Sequence, residues 1–158
     1  MLILAIDPGP EESAWVLWDG TYLHGFAKEP SAEVLSRISY QRWDGAQPTD
    51  CVIEKICSYG MAVGAEIFET VFWSGRFAQA ARPDGNVARV PRLEVKLWLC
   101  HDSRAKDANI RQAIIDRFGG KDATRKGGSL HGVSGDVWAA LAVALTYHEK
   151  YVLTGVAA

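Results

Sequence analysis

Apolar residues fall into short runs separated by turn residues, and their spacing predicts both strands and helices. Five such runs predict β-strands, at residues 2–6, 12–18, 22–27, 51–54 and 87–95. The first run is continuously apolar, which is typical of a strand buried on both faces. Asp19 and Gly20, between the second and third runs, favour a tight hairpin turn. Pro91 in the fifth run indicates a sheet edge or a bulge.

Apolar residues at helical spacing predict four helices, at residues 31–40, 61–81, 105–118 and 136–151. Ser31 stands where an N-cap is expected, and Gly64 and Gly75 weaken the continuity of the second helix. The glycine-rich stretch at residues 121–135 predicts a mobile loop. The order β-β-β-α-β-α-β-α-α describes an α/β domain with a mixed five-stranded sheet flanked by helices.

The size and composition of the chain limit the kinds of protein that it can be. With 158 residues, 48% hydrophobic and 23% charged, we expect one compact domain over residues 1–158. The apolar runs are well below the roughly 20 residues of a membrane span, and no secretory signal precedes them. Cys51, Cys57 and Cys100 show neither an even set nor a CxxC pair, so we expect reduced thiols and a cytoplasmic protein.

Charge is segregated along the chain, although the formal net charge is only −2. Residues 76–126 hold twelve basic and six acidic residues, a net charge of +6, whereas the remainder holds five basic and thirteen acidic residues, a net charge of −8. A basic face can bind phosphate while an acidic face gathers carboxylates. The alternative is that these Lys and Arg side chains are solvated on exposed helices.

Three acidic residues stand at the ends of apolar elements. Asp7 follows the first strand, Glu54 closes the fourth, and Asp136 begins the last helix. A carboxylate in such a place needs a hydrogen-bond donor, a cation or a metal ion. Each one alone has a simpler explanation, as a turn residue, an ion pair or a helix cap. Their joint occurrence favours a shared role.

Four motifs stand in order along nearly the whole chain, ILAIDPG at residues 3–9, VIE at 52–54, RAKDANIR at 104–111 and ALAVALT at 140–146. Together they resemble the RuvC-type Holliday-junction resolvases of the RNase H-like superfamily. Residues 3–9 (ILAIDPG) are similar to the first strand of that family, and residues 52–54 (VIE) to its fourth. Residues 140–146 (ALAVALT) resemble the apolar body of its last helix. Residues 104–111 (RAKDANIR) resemble the helix that brings basic side chains to DNA.

The resemblance implies a function as well as a fold. It implies an RNase H-like nuclease, a homodimer, and paired nicking of four-way DNA junctions with Mg²⁺ or Mn²⁺. Residues 58–77 and 95–111 resemble phage-borne members more than the bacterial housekeeping enzyme. In a two-metal nuclease the ions lie roughly 4 Å apart, so that one activates a water and the other stabilises the leaving oxygen.

The resemblance also implies roles for individual residues. It assigns metal binding to Asp7, Glu54 and Asp136, and stabilisation of charge at the scissile phosphate to Lys106. Contacts to DNA are expected from Lys106, Arg111, Arg104, Lys126 and Tyr59.

Two positions depart from the family pattern. Ala139 stands where the family presents a second acid or a histidine on the last helix, so a further ligand is expected from another group, such as His131 or Ser134. After the fourth strand, Cys57 takes the place nearest to the aromatic that wedges into the junction in the family. Tyr59, two residues on, either stacks on a base or belongs to the core.

Other functions remain as alternatives to the resolvase. One is an RNase H-like nuclease that acts on flaps, forks or other branched DNA, because a fold does not fix the substrate. Another is a catalytically silent dimer that binds DNA structures, which the missing acid at Ala139 favours. An actin-like kinase half would need a second half of similar size. The His and Cys residues lack the spacing of zinc ligands.

The helix predicted at residues 61–81 is apolar around most of its girth. A surface helix of a small domain needs one apolar stripe against its sheet, so the additional stripes predict cover by a second copy of the chain. A twofold dimer would match the symmetry of a four-way junction. The alternative is cover by the hairpin or by the last helix of the same chain.

Overall fold

The structure is a computed structural model that describes residues 1–58, 60–81 and 85–156. Five strands form one sheet in the order β3-β2-β1-β4-β5. They are β1 (Ile3–Asp7), β2 (Glu12–Trp18), β3 (Leu23–Pro30), β4 (Asp50–Lys55) and β5 (Asn86–Pro91). The first three strands pair antiparallel, whereas β4 is parallel to both β1 and β5. The mixed five-stranded sheet predicted from the sequence is confirmed.

Helices cover both faces of this sheet. They are α1 (Ser31–Tyr40), α2 (Ala65–Ala81), α3 (Arg92–Cys100), α4 (Asp107–Arg117) and α5 (Val137–Tyr147). A 3₁₀ turn (Lys121–Thr124) follows α4, and a wider π-helical turn (His148–Val152) follows α5. No helix in the described part of the chain is long and apolar enough to cross a bilayer.

The central strand β1 explains why the first apolar run does not alternate with polar residues. Ile3 and Ala5 pack on one face with residues of α3, α4 and α5, whereas Leu4 and Ile6 pack on the other with residues of α1 and α2. Successive side chains of a strand point to opposite faces, so a strand buried on both faces is apolar at every position. Asp7, the polar residue that ends β1, therefore lies at the rim of two hydrophobic clusters.

The prediction of a strand over residues 87–95 was wrong in its second half. The strand β5 ends at Pro91, and Arg92 begins the helix α3, which the sequence prediction missed. Proline has the φ of −67° that suits the residue before a helix, and Val95 and Leu99 then bury one helical face at i, i+4 spacing. Pro91 lies on an edge strand, as predicted.

Two smaller predictions also need correction. Ser31 is the first residue of α1 and not its cap; its hydroxyl oxygen lies 2.8 Å from that of Ser13, and both residues are buried. The stretch at residues 121–135 does form turns, but Ala123, Leu130 and Val133 are buried in the core. This stretch is therefore anchored to the domain by apolar side chains.

Candidate functional site

The strand ends place two of the predicted acids side by side. The parallel register of β1 and β4 pairs Ile6 with Ile53, so that Asp7 and Glu54 follow at the same edge of the sheet. Asp136 immediately precedes α5, which packs on β1 and β2. A pocket of about 270 Å³ forms where these elements meet. Its lining residues are Asp7, Glu54, Arg92, Asp107, Ile110, Gly135, Asp136, Trp138 and Ala139.

Sequence reasoning missed two charged residues of this pocket, Arg92 and Asp107. One terminal guanidinium nitrogen of Arg92 lies 3.1 Å from Oε2 of Glu54, and the other lies 2.5 Å from Oδ1 of Asp107. Each residue is the first of its helix, Arg92 of α3 and Asp107 of α4. The sequence carried no signal for either residue, because Arg92 is set beside the end of β4 by the register that pairs Lys55 with Pro91, which only the fold reveals.

Asp136 lies at the rim of the pocket and is paired with a lysine. Its Oδ2 atom is 2.9 Å from Nζ of Lys28, which also lies 3.3 Å from a carboxylate oxygen of Glu12. The side chain of Asp136 is 56% exposed, so this ion pair is largely solvated and contributes little to stability. Solvation also leaves the Asp136 carboxylate free to exchange Lys28 for another cation.

The two strand-end carboxyls have perturbed acidities. Burial, followed by repulsion from Glu54, raises the pKa of Asp7 from 3.8 to about 8, although Arg92 opposes this shift. Burial also raises the pKa of Glu54, again against the effect of Arg92. Burial therefore disfavours a negative charge on both strand-end carboxyls unless a cation compensates it.

The donor set of the pocket suits a hard divalent cation. Its carboxylates supply only oxygen donors, which Mg²⁺ and Mn²⁺ prefer, and the pKa of Asp7, raised first by burial and then by Glu54, shows that an uncompensated negative charge is disfavoured here. Asp7, Glu54 and Asp136 would hold such ions. Within the described residues, however, no three acidic, His or Cys side chains are already grouped closely enough to do so. In this arrangement two of the carboxylates are paired with basic side chains instead, Glu54 with Arg92 and Asp136 with Lys28.

A second groove, of about 640 Å³, continues from the pocket. The two share Asp107, Gly135 and Trp138, and the groove is also lined by Ala108, Arg111, Gln112, Ile115, Lys121 and Thr124. The guanidinium of Arg111 lies 5.0 Å from the centre of the Trp138 ring, in a cation–π contact. The groove thus brings basic and polar side chains next to the acidic pocket.

The remaining predicted residues lie outside the pocket lining. Those on the surface are Lys106, Arg104, Lys126 and His131. Lys106 directly precedes α4, and its backbone N–H donates to the side chain of Asn109. His131 lies in an exposed turn and makes no contribution to the pocket wall. Tyr59 is outside the described residues. Ala139 does line the pocket, where it offers no ligand atom.

Comparison with known proteins identifies the fold. No family model matches the sequence, and no curated protein does. Among solved structures, RuvC of Thermus thermophilus matches with a TM-score of 0.68 and 22% identity, over 99% of this chain and 98% of that one. T. thermophilus RuvC in complex with a Holliday junction substrate matches with a TM-score of 0.68 and 23% identity, over 99% and 97%.

The chain therefore has an RNase H-like fold. Within that class, its arrangement of strands and helices is similar to that of RuvC over essentially the full length of both chains. The resemblance stated from the four sequence motifs is confirmed at the level of the fold.

The raised pKa of Asp7 predicts how Asp7→Asn changes stability without metal. Below about pH 8 the wild-type protein holds the Asp7 carboxyl protonated and neutral. The stability that this raised pKa contributes to the folded state is complete below the ordinary pKa of 3.8 and is lost as pH rises through about 8. The variant has no charge to bury, so with a chelator present we expect its Tm to exceed that of wild type by about 3 °C or more above pH 8. Thermal unfolding across pH checks this.

The difference in Tm should shrink toward pH 4, where both proteins carry a neutral side chain. Asp44→Asn is the matched control, because Asp44 is exposed and outside the pocket. An equal change in Tm in both variants, or a Tm difference that does not depend on pH, would mean that the pKa of the Asp7 carboxyl is not raised by the fold.

Proposed function

We propose that this protein is a metal-dependent endonuclease that cleaves four-way DNA junctions by paired nicking. One observation carries the proposal: Asp7, Glu54 and Asp136 converge on a single pocket of a RuvC-like fold, beside a groove that contains basic residues. The structure of T. thermophilus RuvC with a Holliday junction substrate supports the choice of substrate.

Two divalent ions, Mg²⁺ or Mn²⁺, supply the chemistry when bound, by activating a water and stabilising the leaving oxygen. The chain's own residues hold and orient the reacting groups. Asp7 and Glu54 offer carboxylates from adjacent strand ends, and Asp136 offers one from the start of α5. Asp107 adds a fourth carboxylate at the pocket, which also contains Ala139. Burial of Glu54 fixes its position relative to β1.

The DNA backbone follows the groove away from the pocket. Arg111 and Lys121 line that groove and neutralise phosphates. Lys106 is exposed and immediately precedes Asp107 at the start of α4, so we expect its ammonium group to reach the scissile phosphate and to stabilise charge there. Arg104 and Lys126 are exposed and extend the phosphate contacts.

A second candidate function is binding of branched DNA without cleavage. It is favoured by Ala139, which supplies no ligand, and by the ion pair between Arg92 and the strand-end acid Glu54. In that case the protein would bind junctions in the presence or absence of metal and would leave them intact.

The test uses labelled four-way junction, fork, flap and linear duplex, with and without Mg²⁺ or Mn²⁺. We expect symmetric, metal-dependent nicking of the junction alone. Asp7→Asn, Glu54→Gln and Asp136→Asn should each slow cleavage by about a hundredfold or more while junction binding persists, since binding depends on phosphate contacts elsewhere. Asp44→Asn serves as the control.

Each outcome has a distinct meaning. Cutting of forks or flaps would mean that these structures, and not four-way junctions, are the substrate. Junction binding without cutting would favour the second candidate function, a protein that binds branched DNA without cleaving it. A variant that cuts at the wild-type rate would remove its residue from the site.

The salt dependence of DNA binding tests the groove. Lys106→Ala and Arg111→Ala should weaken binding to every DNA sequence and lower the slope of log K against log salt by about one each, because each loses a phosphate contact. Fluorescence anisotropy over a salt series measures this. Arg42→Ala is the control, since Arg42 follows α1 on the opposite face of the sheet. Unchanged slopes in both groove variants would mean that these side chains face solvent.

We also propose that the protein is a homodimer formed through α2. This helix buries Thr70, Ser74 and Phe77 but leaves Phe68 and Phe72 exposed, at 66% and 55%. Ile67 and Val71 are also exposed on the same helix, so its apolar surface is turned away from the domain. An apolar helix face of this kind needs cover, and a second copy would bring two pockets into twofold relation.

Phe68→Glu tests this assembly. We expect wild type to sediment as a dimer at micromolar concentration and the variant as a monomer, because a charge would be buried at the interface. Tyr22→Glu is the control, since Tyr22 is an equally exposed aromatic in the hairpin, at 67%. A monomeric wild type would argue against both the dimer and paired symmetric cleavage.

A further inference from the structure

We propose that Arg92 is the resident counter-ion of the carboxylate pocket, and that a divalent metal ion must displace its guanidinium from Glu54 in order to bind. This inference rests on the proposed metal-dependent function. It concerns the protein before DNA is bound, and it assigns a role to a residue outside the predicted metal ligands.

The contacts of Arg92 show the guanidinium spanning two carboxylates. One nitrogen lies 3.1 Å from the carboxylate of Glu54 and another lies 2.5 Å from that of Asp107. A guanidinium is a planar fork with donors on both arms, so it can hold two acids at once. Glu54 is only 8% exposed, and water therefore cannot solvate its charge in place of Arg92. The oxygen that Arg92 occupies is thus withheld from any metal ion.

The position of Arg92 in the fold is explained by the acids and not by its helix. It begins α3, and a cation at a helix N-terminus is disfavoured by the helix dipole. The end of β5 beside β4 nevertheless puts Arg92 at the same sheet edge as Asp7 and Glu54. Pairing with carboxylates offsets the unfavourable dipole interaction, so the carboxylates account for a basic residue here.

The formal charges at the pocket favour replacement by a divalent ion. Four carboxylates line it, those of Asp7, Glu54, Asp107 and Asp136, while Arg92 and Lys28 supply two positive charges. With Asp7 ionised, above about pH 8, the formal charge that remains is −2, or −3 if Glu12, which shares Lys28, is included, and a divalent ion offsets most or all of it. A small ion with oxygen ligands also approaches a carboxylate more closely than a guanidinium does, so its attraction is stronger.

Two consequences distinguish a counter-ion from a residue that only supports the fold. Removing the guanidinium charge should strengthen metal binding, because the competing cation is gone. It should also destabilise the metal-free protein, because Glu54 loses its partner. A purely structural arginine would give the second effect without the first.

The experiment measures Mn²⁺ binding to the DNA-free protein by isothermal calorimetry, comparing wild type with Arg92→Gln. Measurements over a pH series up to about pH 9, under nitrogen to prevent oxidation of Mn²⁺, separate metal binding from proton release, because removing Arg92 raises the pKa of Asp7 and of Glu54 further. We expect the Kd for Mn²⁺ to fall on the order of tenfold in the variant. Arg89→Gln is the control, because Arg89 is exposed on β5 and carries the same charge; its Kd should stay within about twofold of wild type.

Arg92→Lys keeps the charge but loses the fork, and should bind Mn²⁺ with intermediate affinity. If Arg92→Gln does not fold, the comparison of Arg92→Lys with wild type decides. An affinity in the folded variants that is unchanged or weaker than wild type would overturn the role of Arg92. If the variants show no gain in affinity while wild type binds Mn²⁺ and cuts DNA, this inference alone is overturned and the proposed function stands. Failure of wild type to bind Mn²⁺ or Mg²⁺ would overturn both this inference and the proposed function.

Discussion

Burial of two carboxyl groups at neighbouring strand ends is the constraint on which this site depends. Parallel pairing of β1 and β4 places Asp7 beside Glu54 at the edge of a sheet that is buried on both faces. Little water reaches these groups, so the negative charges must be neutralised by protons, by cationic side chains or by metal ions. The raised pKa of Asp7, the Arg92 ion pair and the proposed metal site are three responses to that one requirement.

The sequence predicted the sheet well because the signals for strands were local and consistent. The unbroken apolar run at residues 2–6 marked the central strand, and Asp19 with Gly20 marked the hairpin. Asp7 and Glu54 could be predicted as neighbours for the same reason, since both close apolar strands. Asp136 was found from its position before a helix that is apolar at almost every residue, and that helix, α5, is buried along its length.

The partners of these acids could not be predicted, because they depend on where one element ends and the next packs. Residues 87–95 alternate well enough to suggest one strand, so Arg92 was placed inside a strand and not at the start of a helix. Lys28 reaches Asp136 only because β3 is longer than the hairpin pattern suggested. Asp107 is the first residue of α4, and nothing in the local sequence pattern indicates that this position faces the strand-end acids.

The fourth carboxylate of the pocket comes from α4 and not from α5. Ala139 on α5 lines the pocket without a donor atom, whereas Asp107 reaches the same pocket from the first residue of α4. An acid at a helix N-terminus is favoured by the helix dipole. The Asp107 side chain is 86% exposed, so its ion pair with Arg92 is largely solvated. The same residue also pairs with Arg92, which ties the fourth carboxylate to the cation that neutralises Glu54. Asp107 is therefore both a possible metal ligand and a partner of Arg92. A substitution of Asp107 or of Arg92 changes the negative charge that the pocket presents to a metal ion.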